Sequence, residues 1–215
     1  MTGLGELLDS RGARLALKLA GVVVALGLVA AAGWFWLRAA DTRGQAALAG
    51  VTEAVQQGEG PLATPEARQK AIATLQAVLA EHGRSSAAPQ AAYQLGNLQY
   101  QAGDYAAARA AYEIALGKGA TGSLRTLSAS GIGYTWEAQK DYATAVTAYE
   151  AAARGLTPKQ FFFEEALLDL ARAQALAGKP AEARATYERL LKDAPETRRA
   201  EDIRGRIVAL PSGSK

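Results

Sequence analysis

Side chains able to do chemistry are few in this chain, and their spacing assembles no reactive site. His82 is the only histidine and there is no cysteine. One imidazole without thiolates cannot complete a multi-histidine or mixed Cys/His metal site. The lack of cysteine also removes a thiol nucleophile, a disulfide framework and lipoprotein attachment. His82 falls where a helix should end, which suits a solvated, helix-terminal role. No Ser/His/Asp grouping forms around it. Glu164-Glu165 opens a helix, where carboxylates complement the macrodipole, and no second carboxylate is indicated opposite them. Gly96-Asn97 and the stretch 117–123 contain glycines, but neither follows a strand and neither matches a phosphate-binding loop. The reading is a non-enzyme with no catalytic residue, no metal and no cofactor.

The residues that do recur are small and aromatic. Gly96, Ala108, Tyr112 and Ala115 are matched in spacing by Gly133, Ala145, Tyr149 and Ala152, and again by Ala171, Ala183, Tyr187 and Leu190. The turns correspond as well: Gly103-Asp104-Tyr105, Lys140-Asp141-Tyr142 and Gly178-Lys179-Pro180. Within each unit the apolar positions follow a helical period on either side of a turn signal. The small residue of the first helix lets the second approach closely. This pattern resembles the tetratricopeptide repeat, a helix-turn-helix unit of roughly 34 residues. The departure is in the period: Gly96, Gly133 and Ala171 stand slightly further apart than that. The extra residues fit in 117–123 and 154–160.

The fold class is therefore all-α: a single N-terminal transmembrane helix followed by a tetratricopeptide-like α-solenoid over 41–210. It should hold about four helical pairs. These are clearest at 89–118, 126–154 and 158–194, with a closing helix at 196–210 and a disordered tail at 211–215. Helices over 41–57 and 65–81 read as an atypical first repeat, of the kind that caps a stack. Thr64 caps the second of them, with Pro65 in its first turn. The broken loop 58–65 separates the two.

Ahead of the solenoid, residues 1–18 form a short basic segment. Leu19 to Leu37 follows without a charge, between Lys18 and Arg38. At 1.5 Å per residue, about 19 residues reach roughly 28 Å, enough to cross the hydrocarbon core. Trp34, Phe35 and Trp36 at its end suit the membrane interface. The competing reading is a cleaved signal peptide, cut after Ala31 or Ala32. The length of the run and its aromatic end favour an uncleaved anchor. Arg11, Arg14 and Lys18 precede the segment, and Arg38 and Arg43 follow it. This bias sets the N-terminus in the cytoplasm and the solenoid in the periplasm of a bacterial inner membrane. Net charge is only +3, most of it at the anchor. The near-neutral remainder excludes nucleic acid as a partner, because phosphate affinity needs clustered cations.

Function then rests on surface. In such a stack the first helix of each pair lines a concave face. One stripe along those helices holds Tyr93, Asn97, Tyr100 and Gln101, then Ser130, Tyr134 and Glu137, then Leu168 and Arg172. Tyrosine with amide side chains suits adaptable peptide contacts. The alternative is that these tyrosines merely pack between helices. Phe161, Phe162 and Phe163 are three consecutive aromatics on a predicted helix, too wide a spread for one core stripe. A loop covers one of them, or one is a docking point.

Gly33-Trp34-Phe35-Trp36 at the end of an anchor, a long helix from Asp41 and the loop before Pro65 together resemble the YfgM type of membrane protein. That family is an ancillary partner of the SecYEG translocon and of periplasmic chaperones. The resemblance implies a scaffold that binds unfolded or peptide segments at the protein-export machinery. The alternative is a structural accessory subunit or assembly factor of another large inner-membrane complex.

Overall fold

The computed structural model describes residues 11–56 and 64–211. Expectations placed on residues 1–10, on most of the loop 58–65 and on the tail beyond Pro211 lie outside the described residues. The chain divides into two units, Met1–Arg43 and Gly44–Lys215.

Helix α1 runs Arg11–Gln56. Its stretch Lys18–Gly50 is long and apolar enough to cross a membrane, near the N-terminus, where a signal sequence meets the same criteria. Side chains from Lys18 to Trp36 are exposed. Trp34, Phe35 and Trp36 are among them, and the Arg38 guanidinium stacks 4.9 Å from the Trp34 ring centroid. The separate helix expected to begin at Asp41 is instead a continuation of α1. Nothing between Leu37 and Asp41 breaks a helix: Arg38, Ala39 and Ala40 all favour it. Thr42 accommodates by bonding its hydroxyl to the Arg38 carbonyl at 2.9 Å.

The second unit takes the last turns of α1, then α2 (Pro65–His82), α3 (Ala88–Gln101), α4 (Tyr105–Gly117), α5 (Gly122–Ala138), α6 (Tyr142–Ala153), α7 (Phe163–Leu176), α8 (Pro180–Asp193) and α9 (Ala200–Ala209). It is all-α and solenoidal, with no strand among the described residues. From α2 onward each helix packs chiefly on its neighbours in sequence, and the first helix α5 also touches the first helices α3 and α7 on either side.

Local signals set the ends. Thr64 Oγ1 accepts from the Ala67 amide at 3.1 Å, capping α2 behind Pro65. Asp104 and Asp141 cap α4 and α6 in the same manner, accepting from Ala107 and Thr144. The three inter-helix turns share one hydrogen-bond pattern. Asp104 N–H bonds Gln99 O at 3.0 Å, Asp141 N–H bonds Trp136 O at 3.0 Å and Lys179 N–H bonds Gln174 O at 2.9 Å. This six-to-one bond closes each first helix around a residue in the left-handed region. That residue is Gly103 or Gly178 in two turns and Lys140 (φ 62) in the third.

The core is a chain of clusters. Leu48 of α1 packs with Ile72, Leu75 and Val78 of α2 and with Ala91 and Leu95 of α3, so the atypical first pair is built into the stack. Phe163, Leu167, Tyr187, Leu190 and Ile203 close the other end. Alanine dominates where helices cross: Ala108, Ala115, Ala145, Ala171 and Ala183 have no exposed surface.

One boundary differs from the sequence reading. Residues 157–162 form turns, and α7 begins only at Phe163. The aromatic run therefore straddles a helix start. Phe163 is 1% exposed in the terminal core cluster, whereas Phe161 is 89% exposed. Phe163 is thus core, and its docking role is withdrawn. A turn before the helix frees Phe161 from the helical geometry that made the run look unaccommodated.

Candidate partner-binding face

The sequence puts a tyrosine at one repeat position on the second helix of each of the three clear pairs, α4, α6 and α8, and two of these tyrosines reach the first-helix face through glycine. A Cβ on Gly96 would lie 2.5 Å from the Tyr112 ring, and one on Gly131 would lie 2.6 Å from the same ring. With no Cβ at either position, Tyr112 slides between α3 and α5. Its hydroxyl emerges to donate to Asn97 Oδ1 at 2.8 Å. Tyr149 does the same one repeat on, donating to Glu137 Oε2 at 2.8 Å.

Of the anticipated residues, the structure brings Tyr93, Asn97, Tyr100, Gln101 and Tyr134 to one groove between α3 and α5. Its volume is about 210 Å³, and Tyr112, Leu127 and Gly131 complete it. Tyr93 stands 6.0 Å from Tyr112, centroid to centroid, and Tyr100 5.4 Å from Tyr105. These tyrosines thus pack against neighbouring rings and also line the groove.

Glu137 and Arg172 meet one repeat further along. Arg172 makes a two-pronged pair with Glu137, Nε to Oε1 and Nη2 to Oε2, both 2.9 Å. Its Nη1 donates to Asp169 Oδ1 at 2.7 Å. Tyr134 donates its hydroxyl to the other Asp169 oxygen. Two carboxylates therefore share one guanidinium, with phenols as further donors. Burial works against the Glu137 charge, but the bonds from Arg172 and Tyr149 together hold its carboxyl below the usual range. Asp169, 1% exposed, goes the other way: burial outweighs Tyr134 and Arg172 and raises it. Burial, then hydrogen bonding to Asp169, raises the Tyr134 phenol; burial and Glu137 do so for Tyr149.

Ser130 and Leu168 do not belong to the accessible face. Both are 7% exposed, and Leu168 packs in the terminal core cluster. They occupy the repeat position of Tyr93, which is long enough to reach the surface where a serine or leucine is covered by the next helix. Sequence reasoning missed Asp169, Tyr112 and Tyr149. An acid among Leu167, Leu168 and Leu170, three residues before an arginine, was the available signal for the first. Phe161 and Phe162 pack edge to face at 5.0 Å beside a separate open hollow of about 490 Å³, with Lys159, Glu165 and Arg199 on its rim. Among the described residues no group of three His, Asp or Glu is placed to hold a metal ion.

The fold defines a helical-repeat protein, an all-α solenoid of stacked helix pairs. Models of the tetratricopeptide repeat match residues 137–207 in one case and residues 68–123 and 93–161 in another. The chain belongs to the tetratricopeptide repeat family. Solved structures agree on the fold. MamA from Desulfovibrio magneticus RS-1 superposes with a TM-score of 0.56 at 14% identity, over 76% of this chain and 84% of that one. BtubC from P. vanneervenii gives 0.51 at 18% identity, over 69% and 61%. YrrB, described as a TPR protein with an unusual peptide-binding site, gives 0.50 at 19% identity, over 74% and 82%. No curated protein matches the sequence. A tetratricopeptide stack is a frame for holding other proteins, and this chain is a protein-interaction scaffold by family.

Proposed function

We propose that this chain is a non-enzymatic, membrane-tethered scaffold that holds protein partners or peptide segments in the groove between α3 and α5. The observation that carries the reading is the convergence of Tyr93, Asn97, Tyr100, Gln101 and Tyr134 on one concavity. Aromatic faces with amide donors and acceptors fit an extended segment. The anchor is Leu19–Leu37, within the apolar stretch of α1. The three basic residues before it and two after it orient the second unit toward the periplasm of a bacterial inner membrane. The Gly33-Trp34-Phe35-Trp36 resemblance supports a place at the export translocon with periplasmic chaperones.

The test is a gentle-detergent purification of the full chain from membranes, with mass spectrometry of co-purifying proteins. It is run beside Tyr93→Ala and Gln101→Ala, each checked for helicity by circular dichroism. Translocon subunits and chaperones should accompany the wild type and fall away with the variants. A stoichiometric complex that survives both variants, but is lost when 19–37 is swapped for an unrelated span, would replace this reading with an accessory subunit held through its anchor.

A further inference from the structure

We infer that the groove between α3 and α5 selects a cationic side chain, lysine or arginine, carried by an extended protein segment. The inference rests on the groove being the binding face and adds the chemistry of what it takes. It begins with proton bookkeeping. A phenol has one proton to give. Tyr112 has given its proton to Asn97, and Tyr134 has given its own to Asp169. Toward a ligand these two groove-lining hydroxyls are acceptors only. A ligand that meets them must donate.

The charge balance points the same way. Among the described residues no lysine, arginine or histidine lines the groove, nor does a carboxylate, so the charge that bears on it comes from behind. Behind it stand Glu137, Asp169 and Arg172, a set with one more negative charge than positive. Arg172 is largely committed: of its five N–H donors, three go to the two carboxylates and one to the Tyr149 hydroxyl. Asp169 is joined to the groove through Tyr134. A phenol bonded to a carboxylate is polarised by it, which makes its oxygen and ring more electron-rich. The Tyr100 phenol is raised by burial first, then by Tyr105 and Glu137, with Arg172 opposing them, so both Glu137 and Arg172 are felt at this wall.

The walls are the right kind. Tyr93, Tyr100, Tyr112 and Tyr134 surround the space, and ring faces attract cations. The fold already uses this chemistry on itself: Arg172 lies 5.9 Å from the centroids of Tyr134 and Tyr149, and Arg109 lies 3.7 Å from that of Trp136. At about 210 Å³ the groove is smaller than pockets that enclose a drug-sized ligand, and a helix of ~10 Å diameter does not fit it. One long side chain does. The amides of Asn97 and Gln101 then serve the flanking backbone.

The experiment selects a displayed library of random nine-residue peptides on the full-length chain in detergent, with Tyr93→Leu and Tyr100→Leu in parallel. Both variants keep apolar bulk and lose the ring face. The recovered peptides are then titrated by fluorescence anisotropy at low and high salt. The wild-type pool should be enriched in lysine or arginine. Replacing that residue by norleucine should weaken binding about tenfold, Glu137→Gln should weaken it several-fold, and salt should weaken the parent peptide only. A pool rich in acidic or apolar residues that is lost in Tyr93→Leu would overturn the cation selectivity and leave the groove as the binding face. No enrichment, or a pool indifferent to both tyrosine variants, would overturn both.

Discussion

Lys140 holds the left-handed backbone conformation that Gly103 and Gly178 hold in the neighbouring repeats. A residue with a Cβ is strained there by about 1–2 kcal/mol, and glycine recovers that at some cost in unfolded-state entropy. Lys140→Gly should therefore stabilise the solenoid by about 0.5–1 kcal/mol, read as a higher denaturation midpoint at unchanged slope. A loss of stability would mean that Lys140 makes a compensating contact. Glu137 is the pH-sensitive residue of the Arg172 cluster. Its folded value lies below its unfolded one because Arg172 and Tyr149 outweigh burial. Its contribution is complete above about pH 4.3, the unfolded carboxyl value, and is lost as pH falls through the lower folded value. Glu137→Gln should cost about 2 kcal/mol at pH 7, and the gap to wild type should close as pH falls below about 4. A gap that stays constant to pH 3 would show that shape, not charge, is what Glu137 supplies. Why these partners were not legible in the sequence is also a matter of residues. The repeat pattern marks Tyr112 and Tyr149 as core, and they are core, 3% and 0% exposed. Only the crossing of two helices decides that their hydroxyls reach Asn97 and Glu137.

At the scale of the helix pair, the close approach of α3, α4 and α5 depends on Tyr112 lying flat against two glycines. Gly96→Ala would set a methyl 2.5 Å from that ring. The ring cannot swing away, since its hydroxyl is held by Asn97 one residue along the same helix. Overpacking of this kind costs about 1–3 kcal/mol. Gly96→Ala should fall in that range by chemical denaturation, despite the better helix propensity of alanine; a stabilised variant would show that α3 and α4 can part freely. The third repeat illustrates the alternative: Ala171 replaces the glycine, and Tyr187 interacts with Arg206 of α9. Elements of this kind were largely readable in advance. Small residue, turn and tyrosine at fixed offsets marked three helix pairs, and Thr64-Pro65 marked the start of α2. Two boundaries were not. The merging of 41–56 into α1 follows from helix formers on both sides of Arg38, which give no stop signal. The late start of α7 follows from Pro158 opening turns instead of a helix, with Phe163 pinned in the core.

At the scale of the whole chain, the division at Arg43–Gly44 makes a claim about where the solenoid begins. Gly44 lies against Ser85, with no room for a Cβ. Gln45 donates to Ser86 at 2.8 Å, and Leu48 is 5% exposed among Ile72, Leu75 and Leu95. Gln94 reaches back to Thr52 at 3.2 Å. The last turns of α1 thus act as the first helix of the stack. Repeat proteins distribute stability over neighbouring interfaces, so a missing terminal helix should be felt next door and fade with distance. A fragment of residues 44–215 should remain helical and soluble without detergent. Trimming it further, to residues 64–215, removes Leu48 and bares the α2 and α3 side chains it covers. Loss of one buried leucine costs about 2–5 kcal/mol, which at ~2–4 °C per kcal/mol for a chain of this size lowers the melting midpoint by roughly 5–15 °C. Hydrogen exchange should accelerate in α2 and α3 and stay unchanged in α7 to α9, because among the described residues these two sets of helices share no contact. Equal midpoints for the two fragments would place the start of the solenoid at Pro65 and reduce the C-terminal turns of α1 to a tether. A uniform acceleration of exchange through α9 would mean that the stack melts as one body, and that a partner bound between α3 and α5 is felt along its whole length.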